Sequence, residues 1–541
     1  MTITTDWETA AKNKKKEVLS NIPQEWLLPT DLLKKYNETT SVSVLDLPKK
    51  LMSAEEFKIT ESYTALELLE KLKSSEISAV DVVDAFSHRA AIATQVTNCC
   101  TELMFEYGKK RAEFLDNYLK ENNKPYGPLH GLPISLKDSF NIPGYDSTLG
   151  FVSKINNKPQ NKSDLVKQLE NLGAVFYVKT NIPQTLMTAD SENNIFGRTL
   201  NPNNLTLTAG GSSGGEGALI KMRGSILGIG TDIAGSIRIP ALCNGVYGYR
   251  PTSRRWAMSN QMNLSREVFV AVEPVAGPLA ADLETISFLT EIIYNDRSWR
   301  YDSNNLRIAY QDPKIKSGDK LSVGIVMEDP DLPVHPPIKR IIKEVADILS
   351  SKGHTIEFVT EFPSYDKAWE LGWSSFQSDP KSTAIENLTC TDERFIKSLC
   401  LPGMDVYGKG PTDIDELIKL KTEINKYMKE WTQIYNEYDV IISPGSPGTA
   451  PPHDTYGIAP YTTMLNILNF PSVIIPFGKV DPSVDKTDLS TVYPEKLEHI
   501  YAHYSLDTYK GGPGHIQVSA PHLEDEKLLA CCSIIDEALK K

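Results

Sequence analysis

No Cys-x-x-Cys pair occurs in this 541-residue sequence, and its seven cysteines include two adjacent pairs, Cys99 with Cys100 and Cys531 with Cys532. That usage excludes a disulfide framework or a thiolate metal site and fits a reducing compartment. No run approaches the roughly 18 apolar residues that a membrane span requires. The opening stretch MTITTDWETAAKNKKKE lacks the apolar core of a secretory signal. The expectation is a cytoplasmic protein without stable membrane insertion. Positive charge is also short, because 57 basic residues against 70 acidic ones leave a net charge of −13. That balance opposes a phosphate-binding surface and excludes nucleic acid as the expected partner. The one basic run, Lys12 and Lys14 to Lys16, reads as a solvated helix face. His499 and His503 have the i, i+4 spacing of helical metal ligands, but no third ligand accompanies them, so neither metal nor cofactor is expected.

With 40% apolar and 23% charged residues, the chain is of ordinary globular composition and can bury a large core. Residues 1–58 read as an N-terminal helical extension whose first helix ends at Pro23. From residue 59 the helical grammar tightens. Thr64 with Glu67 and Ser78 with Asp81 are the cap-and-acid pairs that open helices. SDLVKQLENLGAVFYVKTN is a helix stopped by Gly173 and followed by a strand, and PPIKRIIKEVADILSSKGHTIEFV repeats that pattern after the strand at Leu321 to Asp329. A long helix from Thr412 to Tyr435, with Ile414, Leu417, Ile418, Ile424, Met428 and Trp431 on its apolar side, feeds a strand at Val440 to Ser443. There is no internal repeat, low-complexity tract or linker. These features predict an α/β protein with a large buried sheet covered by helices on both faces, and one domain over 59–541.

Two glycine-framed serines carry the chemical information. Ser212 lies in GGSSGGEGA and Ser236 in GTDIAGSIR, 24 residues later. The first segment is not a phosphate loop, because Glu216 stands where GxxxxGK requires lysine. It satisfies GxSxG formally, but the polar NPNNLTLTA before it is not the strand that a nucleophile elbow follows. A flexible Gly/Ser loop remains the plain alternative for this segment by itself. In the second segment, small residues before Ser236 allow consecutive backbone N–H groups to face one point, as an oxyanion hole demands. A serine nucleophile also needs a base. Lys137 in GLPISLKD is a candidate, although Asp138 beside it also allows an ordinary ion pair.

Together GLPISLKD, GGSSGGEGA and GTDIAGSIRIP resemble the three motifs of the amidase signature family, in the family's order and with gaps of 75 and 24 residues. The resemblance extends from TALELLEKLKSSEISAVDVVDAFSHR to the GHIQVSAPHLEDEKLL tail, and KTNIPQTLMTADSENNIFGRTLNP resembles fungal acetamidases and the related fatty-acid amide hydrolases. It implies a single large amidase-signature domain with a mixed, twisted sheet. It also implies a Ser-Ser-Lys triad, with Ser236 the nucleophile, Ser212 a proton relay on a cis peptide after Gly211, and Lys137 the base. The N–H groups of Ile233, Ala234, Gly235 and Ser236 would hold the oxyanion, and Leu186 would contact substrate. Ala234 replaces a common glycine, which matters only if φ there is strongly positive.

The implied activity is hydrolysis of small monocarboxylic amides to carboxylate and ammonia through an acyl-enzyme. The alternatives are a fatty-acid amide hydrolase and the ammonia-generating subunit of a tRNA-dependent amidotransferase. The expected partner is a small-molecule amide, and the sequence is compatible with a homodimer without requiring one.

Overall fold

The computed structural model describes residues 6–263, 272–379, 383–400, 410–486, 493 and 498–540; the side chain of His499 lies outside the described residues. Eleven strands form one sheet. In chain order they are β1 (Cys100–Leu103), β2 (Pro133–Lys137), β3 (Val175–Thr180), β4 (Leu227–Asp232), β5 (Tyr247–Arg250) and β6 (Val275–Ala280), then β7 (Ser322–Ile325), β8 (Thr355–Phe358), β9 (Val440–Ser443), β10 (Ser472–Lys479) and β11 (Pro513–Ser519). Their spatial order is β1-β3-β2-β4-β6-β5-β10-β11-β9-β7-β8. β3, β2 and β4 run parallel, as do β9, β7 and β8, while the strands between these groups pair antiparallel. The sheet is therefore mixed. The repeated helix-then-strand grammar of the sequence accounts for the parallel groups at either side and not for the antiparallel centre.

Among the helices are α1 (Trp7–Leu19), α2 (Ala65–Lys73), α3 (Ala79–Thr97), α4 (Gly214–Lys221), α5 (Arg238–Asn244), α6 (Tyr365–Phe376), α7 (Ile414–Tyr435) and α8 (Pro460–Leu468). Thr64 and Glu67 form a reciprocal capping box on α2, and Ser78 accepts from the Asp81 N–H to start α3. α1 ends at Leu19, before Pro23, and packs on the same buried cluster as the sheet through Ala11 and Val18. Its basic run is only partly solvated. Lys14 is buried against Glu102 at 2.8 Å and Asp146 at 3.0 Å, because two carboxylates in the interior require a cation. On α7 the apolar face divides, since Ile424, Tyr427, Trp431 and Tyr435 are buried while Ile414 is 75% and Ile418 57% exposed.

The parallel strands β2 and β4 bring their carboxyl ends side by side, the edge at which open α/β sheets place their sites. Lys137 is the last residue of β2, and Thr231 and Asp232 close β4.

Candidate active site

Lys137 is buried beneath the loop that leads into α4. Its Nζ donates to Ser212 Oγ at 2.7 Å, to Thr231 Oγ1 at 2.8 Å and to the Thr231 carbonyl at 3.3 Å. The Gly211–Ser212 peptide is cis. Asp138, the neighbour that offered an ion pair, belongs to other partners: it accepts from Thr101 Oγ1 at 2.8 Å and from the Leu149 N–H at 2.9 Å. Successive residues of a strand point to opposite faces, which separates the two charges. Burial pulls the Lys137 ammonium down to about 7, against the opposing pull of the Asp232, Glu216 and Asp138 carboxylates.

The loop from Ile233 to Ile237 is built around Asp232. Its Oδ1 accepts from the Gly235 N–H at 2.8 Å and its Oδ2 from the Ile237 N–H at 3.1 Å. Arg238 grips the same carboxylate through Nε at 3.1 Å and Nη2 at 3.0 Å, and Asn466 on α8 donates to it at 2.9 Å. Burial works against an ionised Asp232, but Arg238, Arg250 and Asn466 outweigh it and hold the carboxyl well below its ordinary range. From the other side, Thr462 Oγ1 on α8 donates to the Ala234 carbonyl at 2.7 Å. Gly235 has φ +121°, and a Cβ there would stand 2.3 Å from Thr462 Oγ1, so the turn requires glycine. Ala234 does not take positive φ, and its methyl group is compatible with the loop. The N–H groups of Ile233, Ala234 and Ser236 meet no protein acceptor among the described residues, whereas that of Gly235 is engaged by Asp232.

Ser213 ties the two serine segments together, since its N–H donates to the Ser236 carbonyl at 3.1 Å. Leu186, Ile233, Ala234 and Ser236 line one cavity of about 30 Å³, from which Ser212 and Gly235 are set back. Thr185 and Leu186 both have positive φ, 69° and 60°, an uncommon backbone for such side chains.

Several functional residues escaped the sequence reading. Trp369, Trp373 and Phe376 of α6 wall the same cavity, with the two indoles stacked at 5.6 Å. Their i, i+4, i+7 spacing is visible in AWELGWSSF, but an aromatic stripe of that period is equally a core face. Thr231 lies inside GTDIAGSIR, but nothing in that motif signals its contact with Lys137, and the α8 threonines carry no motif at all. Among the described residues, His130 Nδ1 accepts from the Tyr126 N–H at 3.0 Å and His515 Nε2 from the Gly445 N–H at 3.1 Å, and neither hydrogen-bonds to Ser236.

Comparison with known proteins identifies the family and the fold. The family model described as Amidase matches residues 81–529. An amidase of Gibberella moniliformis is 38% identical over 99% of both chains, and an acetamidase of Emericella nidulans is 34% identical over 98% of both. A solved structure of a fatty acid amide hydrolase superposes with a TM-score of 0.92 at 33% identity, covering 99% of this chain and 96% of that one. The family match across most of the chain, joined to the mixed sheet, shows that this chain belongs to the amidase signature family of amide-hydrolysing enzymes.

Proposed function

We propose that Ser236 attacks the amide carbonyl while its proton passes to Ser212 Oγ and the Ser212 proton passes to Lys137 Nζ. The observation that carries this reading is the 2.7 Å contact between Lys137 Nζ and Ser212 Oγ, made by a buried lysine that burial brings to about 7. A base of that strength suits proton transfer near neutrality. The N–H groups of Ile233, Ala234 and Ser236, free of protein acceptors, receive the oxyanion, and Gly235 turns the loop that aims them. Collapse of the tetrahedral intermediate breaks the C–N bond as the proton returns from Lys137 through Ser212 to the leaving nitrogen. Ammonia departs, and water repeats the sequence on the acyl-enzyme to release the acid.

The substrates are small monocarboxylic amides. Space supports this, because the cavity at Ser236 is narrow, about 30 Å³. Leu186 and the indoles of α6 close it. No helix among the described residues is long and apolar enough to cross a membrane, and the enzyme is read as cytoplasmic. Kinetics on acetamide, propionamide and oleamide test the assignment. The expected result is a higher kcat/KM for the two short amides. The likeness to a fatty acid amide hydrolase favours a second reading, and an oleamide preference together with binding to liposomes would establish that one instead.

The wall also yields a directed expectation. Trp373→Ala opens the cavity, and the kcat/KM of butanamide relative to acetamide rises about tenfold, the scale on which one or two methylenes are discriminated. An unchanged ratio would remove α6 from substrate selection.

A further inference from the structure

Glu216 is fully buried in the first turn of α4, where a solvated acid would be usual. Ser135 Oγ donates to its Oε2 at 2.5 Å and Thr180 Oγ1 to its Oε1 at 2.9 Å. Ser135 stands two residues before Lys137 on β2, and Thr180 is the register partner of Lys137 on β3. Both hydroxyls therefore share the sheet face of Lys137. A third strand supplies the space. Gly228, in register with Ser135 on β4, would place a Cβ only 1.9 Å from Glu216 Oε2. Three strands thus hold a carboxyl beside the base without an ion pair between them.

We propose that Glu216 is a positioning residue for amide hydrolysis: held by Ser135 and Thr180, its carboxylate supplies the negative charge that Lys137 needs on becoming an ammonium, yet stays too far away to lock the lysine in the protonated state. The proposal rests on Lys137 being the base. When the Ser212 proton reaches Lys137 Nζ, the new charge sits in an interior that otherwise disfavours it.

Three carboxylates act on Lys137 through their charge, and two have other commitments. Asp232 of β4 is neutralised by Arg238, and Asp138, just past the end of β2, is turned to Thr101 and the Leu149 N–H. On its own side, the charge of Glu216 also reaches Cys100 of β1 and Tyr177 of β3. Burial raises the pKa of both well above its ordinary value and keeps them neutral, so Lys137 is the cation that its charge senses. Burial also raises Glu216 itself to about 7, so base and carboxyl titrate as a linked pair.

The test is the pH profile of kcat/KM for a small amide. The rate requires neutral Lys137, so removing a nearby negative charge lowers the lysine's proton affinity. In Glu216→Gln the acid limb therefore moves about one pH unit toward acid. A folded Glu216→Gln enzyme with the limb at its wild-type position overturns the proposal, since a merely structural glutamate would change stability without moving the limb. Thr180→Val covers the case in which Glu216→Gln does not fold. It removes one donor to the carboxylate, leaves Glu216 protonated at higher pH, and moves the limb the same way by a smaller amount; an unmoved limb there also overturns the proposal. Lys137→Ala separates the two levels. If that variant retains activity, the lysine base fails and the role of Glu216 fails with it. An inactive Lys137→Ala beside an unmoved Glu216→Gln limb rejects Glu216 alone.

Discussion

Ser236→Ala is expected to fold normally and to lose amide hydrolysis by about four to six orders of magnitude in kcat, the scale seen when a serine nucleophile is removed. The fold should survive because the supports of the loop run through the backbone and through Asp232. The Ser236 carbonyl still accepts from Ser213, Gly235 still donates to Asp232, and Arg238 still holds that carboxylate. The hydroxyl is the group lost, and the other hydroxyl in the cavity lining, that of Thr188, donates to the Asp190 carbonyl at 3.0 Å. A fluorophosphonate should label wild-type enzyme on Ser236, as read by peptide mass spectrometry, and should leave the variant unlabelled. Appreciable turnover in a folded Ser236→Ala protein, or stoichiometric labelling of another serine, would end the assignment of the nucleophile.

The division between what was legible in the sequence and what was not follows the range of the interactions. Local chemistry was legible. Thr64 with Glu67 predicts a capping box because both partners lie within one turn, and Gly173 and Gly353 stop helices through their own positive φ. The proximity of Lys137 to Ser212 is not local, and it became readable only because three motifs occur together in a known order. Glu216 shows the limit of that approach. Its identity served to exclude a phosphate loop, but its environment depends on Ser135, Thr180 and Gly228 on three separate strands, and no spacing in the sequence connects them. The sheet order has the same character. Helix-then-strand repeats predict parallel neighbours, whereas the antiparallel centre arises from pairings such as β5 with β10, over 200 residues apart in the chain. On α7, periodicity identified the helix but not the extent of its cover, so Ile414 and Ile418 were counted with a core that begins only at Ile424.

Lys137→Met is expected to abolish hydrolysis and, in the same variant, to reveal what the base costs the fold. Activity should fall by several orders of magnitude because, among the described residues, no other basic side chain contacts Ser212. In wild type, kcat/KM should rise with pH and level off above about 7, where burial has made the lysine neutral. Stability should follow the same group with a definite sign. The folded state releases the Lys137 proton near 7, while the unfolded chain keeps it up to the ordinary lysine value of 10.5. Between those limits the unfolded state binds more protons, so raising the pH stabilises the fold; below about 7 both states are charged and the full penalty of burying an ammonium applies. Methionine has no such penalty at any pH. It forfeits the bonds to Ser212 and Thr231, but that loss is the same across the pH range and cancels in a comparison of two pH values. The stability of wild type relative to Lys137→Met should therefore improve by about 2–3 kcal/mol from pH 6 to pH 9, one pH unit above 7 being worth about 1.4 kcal/mol. Paired urea unfolding curves at the two pH values measure this difference directly. A wild-type-to-variant gap that stays constant would mean that Lys137 is charged in the folded enzyme throughout, and a permanently charged lysine cannot take the proton from Ser212.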